Sequence, residues 1–544
     1  MTPRLLLGPM LRHVGETTAT VWVQTDRPAQ VEILGCTART FAVLGHHYAL
    51  VDVRGLPPGS ATPYEVHLDG QRAWPRAGSA WPASRIRTRG GVRPVRVVFG
   101  SCRRAKPDAP RLAASLGLDA LDVYATRLAT EPDERWPDAL LLLGDQVYAD
   151  DPTPQTRRWL SSRRDLRQPP WAEVADFVEY ARLYTESWSD DEVRWLLSTV
   201  PTAMIFDDHD VRDDWNTSRA WREQMHRQPW WSQRIRGGLA SYWIYQHAGN
   251  LDPAQRAADP VCREVLGAQG DAWPVLERMA GAADADPTTM RWSFRWDLDR
   301  VRVVMVDSRC GRMLDDGDRA MLDEEEFSWV EDAVEGRVDG LDHVLVGSSL
   351  PWLLPPAISD VQSVNEAAAG KDGLPGRLAE RFRQAADLEH WAAFRESFDR
   401  LAALLRRVAT GPHAPATVSV LSGDVHHTYA ARVSFGQPVR SAVHQLVCSP
   451  VHHAVPGFLK VAFRIAWRRP LARAVRAIAR RAGVSDPPVS WQRAAGPIFG
   501  NAVATLVLDG RSAVLTVERT RPHGRSARLE HASELSLAGP ATAA

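Results

Sequence analysis

Five apolar runs in this chain stop on small or acidic residues: VRVVFGSC (95–102), DALLLLGD (138–145), TAMIFDD (202–208), VRVVMVD (301–307) and ATVSVLSGD (416–424). Near-continuous apolar strands of this kind are buried on both faces, as in parallel sheets covered by helices. Ligands of such sheets sit outside the carboxyl ends of the strands, so residues at those ends share one edge. Helical stretches such as WAEVADFVEYARLYTESW and LEHWAAFRESFDRLAALLRRVA lie between the runs, which makes the chain an α/β protein. A two-sheet α/β sandwich with its site along one edge accounts for five such tips better than one doubly wound sheet.

Ahead of the first run the pattern is different. Short bursts of alternation, TATVWVQT, AQVEILG, HYALVDV and YEVHLDG, are separated by Pro, Gly and Asp turns, the signature of a small antiparallel β-sandwich. The Arg-rich stretch SRIRTRGGVRPVR places a boundary near residue 92, giving an N-terminal domain over 1–91, an α/β domain over 92–524 and a C-terminal tail over 525–544 whose last residues, SLAGPATAA, read as frayed. Residues 457–484, GFLKVAFRIAWRRPLARAVRAIARRAGV, form a basic amphipathic insertion interrupted by Pro470. It reads either as a lid helix with a solvated Arg face or as peripheral contact with an anionic membrane.

Charge excludes one class of partner. The chain carries 66 basic and 66 acidic residues, so no overall field favours nucleic acid, and none is expected as a partner. No stretch of about 18 apolar residues is present, and the N-terminus lacks the pattern of a signal peptide; the expectation is a cytoplasmic protein, with export left open. Five scattered cysteines without CxxC spacing give neither a disulfide framework nor a zinc knuckle.

The strand tips hold Cys102 in GSC, Asp145 and Tyr148 in GDQVY, Asp207, Asp208, His209 and Asp210 in DDHD, and Asp424, His426 and His427 in GDVHH. Singly, Asp145 or Asp208 reads as a helix N-cap, Cys102 as a buried hydrophobe and Tyr148 as core. Jointly, carboxylates, a thiol, a phenol and imidazoles at equivalent positions describe a two-metal site. Of the histidine pair, strand alternation would point one inward and one away.

GSC, GDxxY, DDHD and GDxH, in this order over residues 101–426 and behind a β-sandwich, resemble the PhoD-type alkaline phosphatases of the calcineurin-like metallophosphoesterase superfamily. The resemblance implies a four-layer metallophosphoesterase α/β sandwich with a small N-terminal antiparallel β-sandwich. Against the wider superfamily, Cys102 stands at the DxH strand end, Tyr148 replaces the second acid of GDxxD, and Asp208 and His209 match the metal-ligand Asn and the catalytic His of GNH[DE]. Asp424 and His426 match GHxH. SSLPW offers Ser349 where the superfamily has a further His ligand.

The implied metal set is Cys102, Asp145, Tyr148 and His426 for a polarising ion such as Fe³⁺, with Asp145 bridging to an all-oxygen site of Asp208 and Asp424 that suits Ca²⁺. Asp213 and Asp214 in RDDWN are alternative ligands. The implied activity is a hydrolase, an alkaline phosphatase D-like metallophosphoesterase acting on small phosphate monoesters, with diesters as a further class, through a metal-bridging hydroxide. His209 would protonate the leaving alkoxide, while Arg309 in VDSR and Arg103 would meet non-bridging phosphate oxygens. YWIYQHAGN, residues 242–250, suits a pocket wall or a packed insertion equally.

Two rivals follow from the same residues. One is a phosphodiesterase or phospholipase D-like hydrolase, which the clamp geometry does not separate from a monoesterase; the other is a non-catalytic protein that keeps metals for folding. A serine hydrolase built on Ser348 or Ser349 is excluded by the lack of GxSxG.

Overall fold

The computed structural model describes residues 2–91, 93–315, 317–336, 338–371, 373–524 and 526–538. The alternating N-terminal bursts form two four-stranded antiparallel sheets. One contains Leu5–Val14, Thr18–Thr25, Phe41–Val43 and His46–Arg54; the other contains Gln30–Ile33, Cys36–Arg39, Val66–Leu68 and Gln71–Trp74. Val21, Val23, Val31, Ile33, Val51 and Val66 fill the space between them. Buried guanidinium groups fasten this sandwich to the rest of the chain: Arg12 donates to the Gln246 carbonyl at 2.6 Å and to Asn250 Oδ1 at 2.7 Å, and Arg194 donates to the Gly8 carbonyl at 2.6 Å. The expected boundary residue, 92, lies outside the described residues.

The apolar runs build two further sheets. A six-stranded sheet has the order Thr202–Ile205, Ala139–Leu143, Val95–Gly100, Ala502–Asp509, Ser512–His523, Ser526–Ala538. A seven-stranded sheet has the order Phe294–Leu298, Val301–Val306, His343–Ser348, Thr417–Ser422, Ala442–Val447, Thr428–Phe435, Val489–Ile498. They face one another across Val97, Phe99, Leu141, Leu143, Met305 and Leu345, each such buried side chain contributing roughly 1.5–3 kcal/mol. Helices cover both outer faces, among them Ala120–Leu128 on the first sheet and Glu324–Glu335 with Arg395–Thr410 on the second. The result is the four-layer α/β sandwich.

Parallel register aligns the tips. Gly100 pairs with Leu142, Leu142 with Met204, Val306 with Ser348 and Ser422 with Val447, so the residues just beyond leave both sheets at one edge.

Two segments differ from expectation. Residues 526–538 are a full strand paired antiparallel with Ser512–His523, not a tail; the alternation around Leu535 and Leu537 supplies a half-buried face that a composition reading overlooks. Residues 539–544 of the expected tail lie outside the described residues. The basic insertion is two helices, Gly457–Ala466 and Arg469–Arg481, and Pro470 sits in the first turn of the second, where its missing N–H costs nothing. Among the described residues no helix is long and apolar enough to cross a membrane.

Candidate metal centre

At the sheet edge the chain reverses sharply, and four of the residues doing so are left-handed without being glycine: Cys102 (φ 57°), Asp145 (51°), Asp424 (63°) and His426 (50°). Each such residue costs on the order of 1–3 kcal/mol and persists where surrounding structure and function demand it. Gly144 (φ +104°) makes the adjacent approach workable, because a Cβ there would lie 2.7 Å from the Asp207 Cβ. Gly144→Ala is therefore expected to lower unfolding free energy by about 2–3 kcal/mol, measured by urea denaturation. Asp210 staples the two tips: its carboxylate accepts the N–H groups of Gln146, Val147 and Asp207, each at 3.0 Å.

The first cluster is Cys102, Asp145 and His426, whose ligand atoms all lie within 4.8 Å of one another. Ser449 Oγ donates to the Cys102 sulfur at 3.3 Å, and the Tyr148 hydroxyl donates to Asp145 Oδ2 at 3.2 Å. Burial, then the Asp145 and Asp424 charges, pushes the thiol well above its usual range; burial and Asp145 do the same to the phenol. Burial lowers His426 to about 4, leaving the neutral imidazole that binds metals. His426 stacks on His453 at 4.3 Å between ring centroids, while His427 turns away onto Phe463 at 4.1 Å. Both histidines lie in the loop after Thr417–Ser422, so the left-handed turn at His426, not strand alternation, separates them.

The second cluster is Asp145, Asp207 and Asp208, again with ligand atoms within 4.8 Å. Asp145 Oδ1 and Asp207 Oδ2 are buried without a hydrogen-bond partner, and Asp208 Oδ1 has only its ion-pair contact with Arg309 at 3.1 Å. Burial first, then the neighbouring carboxylates, raises Asp145 and Asp207 well above the carboxylate range and raises Asp208 as well. A dehydrated group of acids with unmatched oxygens is relieved by a cation placed among them. The donor set fits metal ions: thiolate, phenolate and imidazole on one side of Asp145, oxygens on the other.

Arg309 is not where a phosphate oxygen would meet it. Its guanidinium is fully buried, bonded to Asp207 at 2.5 Å, in contact with Asp208 at 3.1 Å and paired with Glu389. A charge satisfied by three carboxylates is held for positioning them. Arg103 is likewise committed to Asp119 and Asp190. Asp424 departs from the expected second cluster: its Oδ2 accepts a hydrogen bond from His390 Nε2 at 2.8 Å, and its Oδ1 lies 4.0 Å from the Arg309 guanidinium. Although burial opposes it, this His390 contact and Arg309 hold Asp424 ionised below the usual range. Asp214 donates its N–H to Asp208 Oδ2 at 3.1 Å, and Asp213 lies 3.7 Å from His209 Nε2.

His209 Nδ1 bonds Asp150 Oδ2 at 2.8 Å, and its ring packs on Tyr148 at 4.7 Å. Burial disfavours the imidazolium, yet Asp150 and Asp208 outweigh it and raise the His209 pKa well above its usual value. The protonated form can thus donate at the site edge.

Asp150, Glu389, His390 and His453 were not singled out from sequence. His453 follows Ala442–Val447 in VCSPVHH, another strand ending on small residues, and that signal could have found it. Glu389 and His390 sit after the helix Leu374–Ala385 and carry no strand-end signal. YWIYQHAGN is packed core: Tyr245 stacks on Tyr184 at 4.1 Å and Tyr242 on Phe206 at 4.2 Å.

The family model of PhoD-like phosphatases matches residues 121–263, and a domain of unknown function, DUF7800, matches residues 2–86. No curated protein matches the sequence. A solved structure described as that of PhoD is 12% identical, with a TM-score of 0.60 over 97% of this chain and 89% of its own. The purple acid phosphatase PPD1 from yellow lupin (Lupinus luteus) seeds is 10% identical, with a TM-score of 0.45 over 95% of this chain and 72% of that one. The matched segment carries the GDQVY and DDHD tips, and the PhoD-like fold extends the likeness over the remaining sheet edge. The central segment is thus similar to PhoD-like phosphatases, and the chain as a whole shares the fold of PhoD.

Proposed function

We propose that the sheet edge is a dinuclear centre hydrolysing phosphate monoesters, with diesters as a second substrate class. Cys102, Asp145, Tyr148 and His426 would hold Fe³⁺; Asp145, Asp207 and Asp208 would hold Ca²⁺, with Asp424, Asp213 and Asp214 as alternative donors. The observation carrying this reading is the pair of buried carboxylate oxygens, Asp145 Oδ1 and Asp207 Oδ2, left without partners beside Asp208, a thiol and a neutral imidazole. Bound there, the cations would polarise the phosphoryl oxygens and make water a nucleophile near neutral pH.

The chain's own groups supply the rest. His209, protonated through Asp150, donates a proton to the leaving alkoxide. Arg309 fixes Asp207 and Asp208 from behind. Ser449 and Ser101 hold the Cys102 sulfur in place.

Metal analysis with a visible spectrum, alongside hydrolysis of a nitrophenyl phosphate and its bis-ester by wild type and Cys102→Ala, tests the reading. Iron, calcium and activity lost together in the variant are expected; full activity in Cys102→Ala refutes the assignment. Tyr148→Phe is expected to keep iron but lose the phenolate charge-transfer colour, and an unchanged spectrum would remove the phenolate from the iron site.

A further inference from the structure

The helices Gly457–Ala466 and Arg469–Arg481 show a face that the fold leaves uncovered. Phe458, Val461 and Ile465 follow the i, i+3, i+7 spacing of one helical face, and Leu471, Ala474 and Ile478 repeat it. Phe458 is 72% exposed, Val461 54% and Ile478 56%, far from the burial expected of such side chains in a core. The two helices pack against Pro356–Ala369 through other positions, with Ala466 and Ala479 buried.

The charge on this segment is one-sided. Residues 457–484 contain eight basic residues and no acid, in a chain whose charges cancel overall. Arg476 and Arg480 pair with Asp360 and Asp486. Lys460, Arg464, Arg468, Arg469, Arg473 and Arg481 have no carboxylate partner among the described residues.

We propose that this helical pair docks on an anionic phospholipid surface. An exposed apolar stripe set among unneutralised cations is what lies in the interface of such a bilayer, the stripe entering the acyl boundary and the cations meeting phosphate and carboxylate headgroups. A second copy of the chain would bring the same uncompensated positive charge against it, and a nucleic acid would leave the aliphatic stripe in water. The segment also neighbours the strand-tip loop: Phe463 stacks on His427, and Lys460 lines a cavity of about 300 Å³ with His453, which stacks on His426. Docking therefore brings the sheet edge to the membrane surface. The proposal does not depend on which ester is hydrolysed.

Co-sedimentation of the full chain with vesicles of phosphatidylcholine alone, and of phosphatidylcholine mixed with phosphatidylglycerol, tests it. Binding to the mixed vesicles only, weakened by added salt, is expected. Phe458→Ser/Val461→Ser/Ile465→Ser should abolish it, and Arg468→Gln/Arg473→Gln/Arg481→Gln should weaken it about 100-fold. All six positions are exposed or half-exposed, and unchanged hydrolysis of a soluble nitrophenyl ester confirms that the variants fold. No binding to mixed vesicles, equal binding to both kinds, or binding indifferent to these substitutions overturns the proposal. So does concentration-dependent dimerisation that the apolar triple variant removes while vesicle binding stays absent.

Discussion

Asp145→Asn is expected to slow phosphate-ester hydrolysis by at least about 10³-fold and to abolish metal binding on both sides of the proposed centre. The size follows from the place of Asp145: its oxygens belong to both donor clusters, so one substitution weakens two sites at once. A cation polarising a phosphoryl oxygen is worth several kcal/mol, and about 4 kcal/mol corresponds to a factor of 10³. The amide also lacks the charge that opposes a trivalent ion. Steady-state kinetics beside elemental analysis checks this. A variant with full metal content and a wild-type rate would show that Asp145 joins nothing. Reduced rate with intact metals would place it beside the centre instead of within it.

His209→Ala should lower kcat by about 10²–10⁴-fold with metal content unchanged, the range for removing one positioned acid. Asp150→Asn makes the argument sharper. Asp150 bonds the imidazole at 2.8 Å and is the leading influence raising its pKa. An acid catalyst works while protonated, so activity falls as pH rises through its pKa; without Asp150 that pKa drops. The alkaline limb of the kcat profile should move to lower pH in Asp150→Asn, while the rate on the acid side of that limb changes little. A limb that stays fixed would mean that another group sets it.

The parts of this centre that could be read from sequence are those on strand tips. Cys102, Asp145, Asp208 and Asp424 each end an apolar run, and it is their joint occurrence at the tips of doubly covered parallel strands that marks a site edge. The groups that hold these tips in place have no such mark. Glu389 stands 80 residues beyond Arg309 in the chain. It arrives with His390 from a helical excursion, and only the fold brings the two to Arg309 and Asp424. Arg309 reads as a phosphate contact in isolation because its three buried carboxylate partners come from two separate segments. Residues 526–538 escape for a different reason: a strand at the sheet border is only half apolar, and its pattern resembles an exposed tail.

The pairing of Val95–Gly100 with Ala502–Asp509 has a consequence for how the protein is made. The strand that delivers Cys102 lies between Ala139–Leu143 and a strand roughly 400 residues further along. Until the ribosome has released that late segment, one flank of the Cys102 strand is a bare ladder of N–H and C=O groups. Sheet closure is thus among the last events of folding, because contacts so distant in the chain carry a high loop-closure cost. The nascent chain thus carries an open strand edge beside these tips for most of its synthesis, and such edges are prone to pairing with other strands.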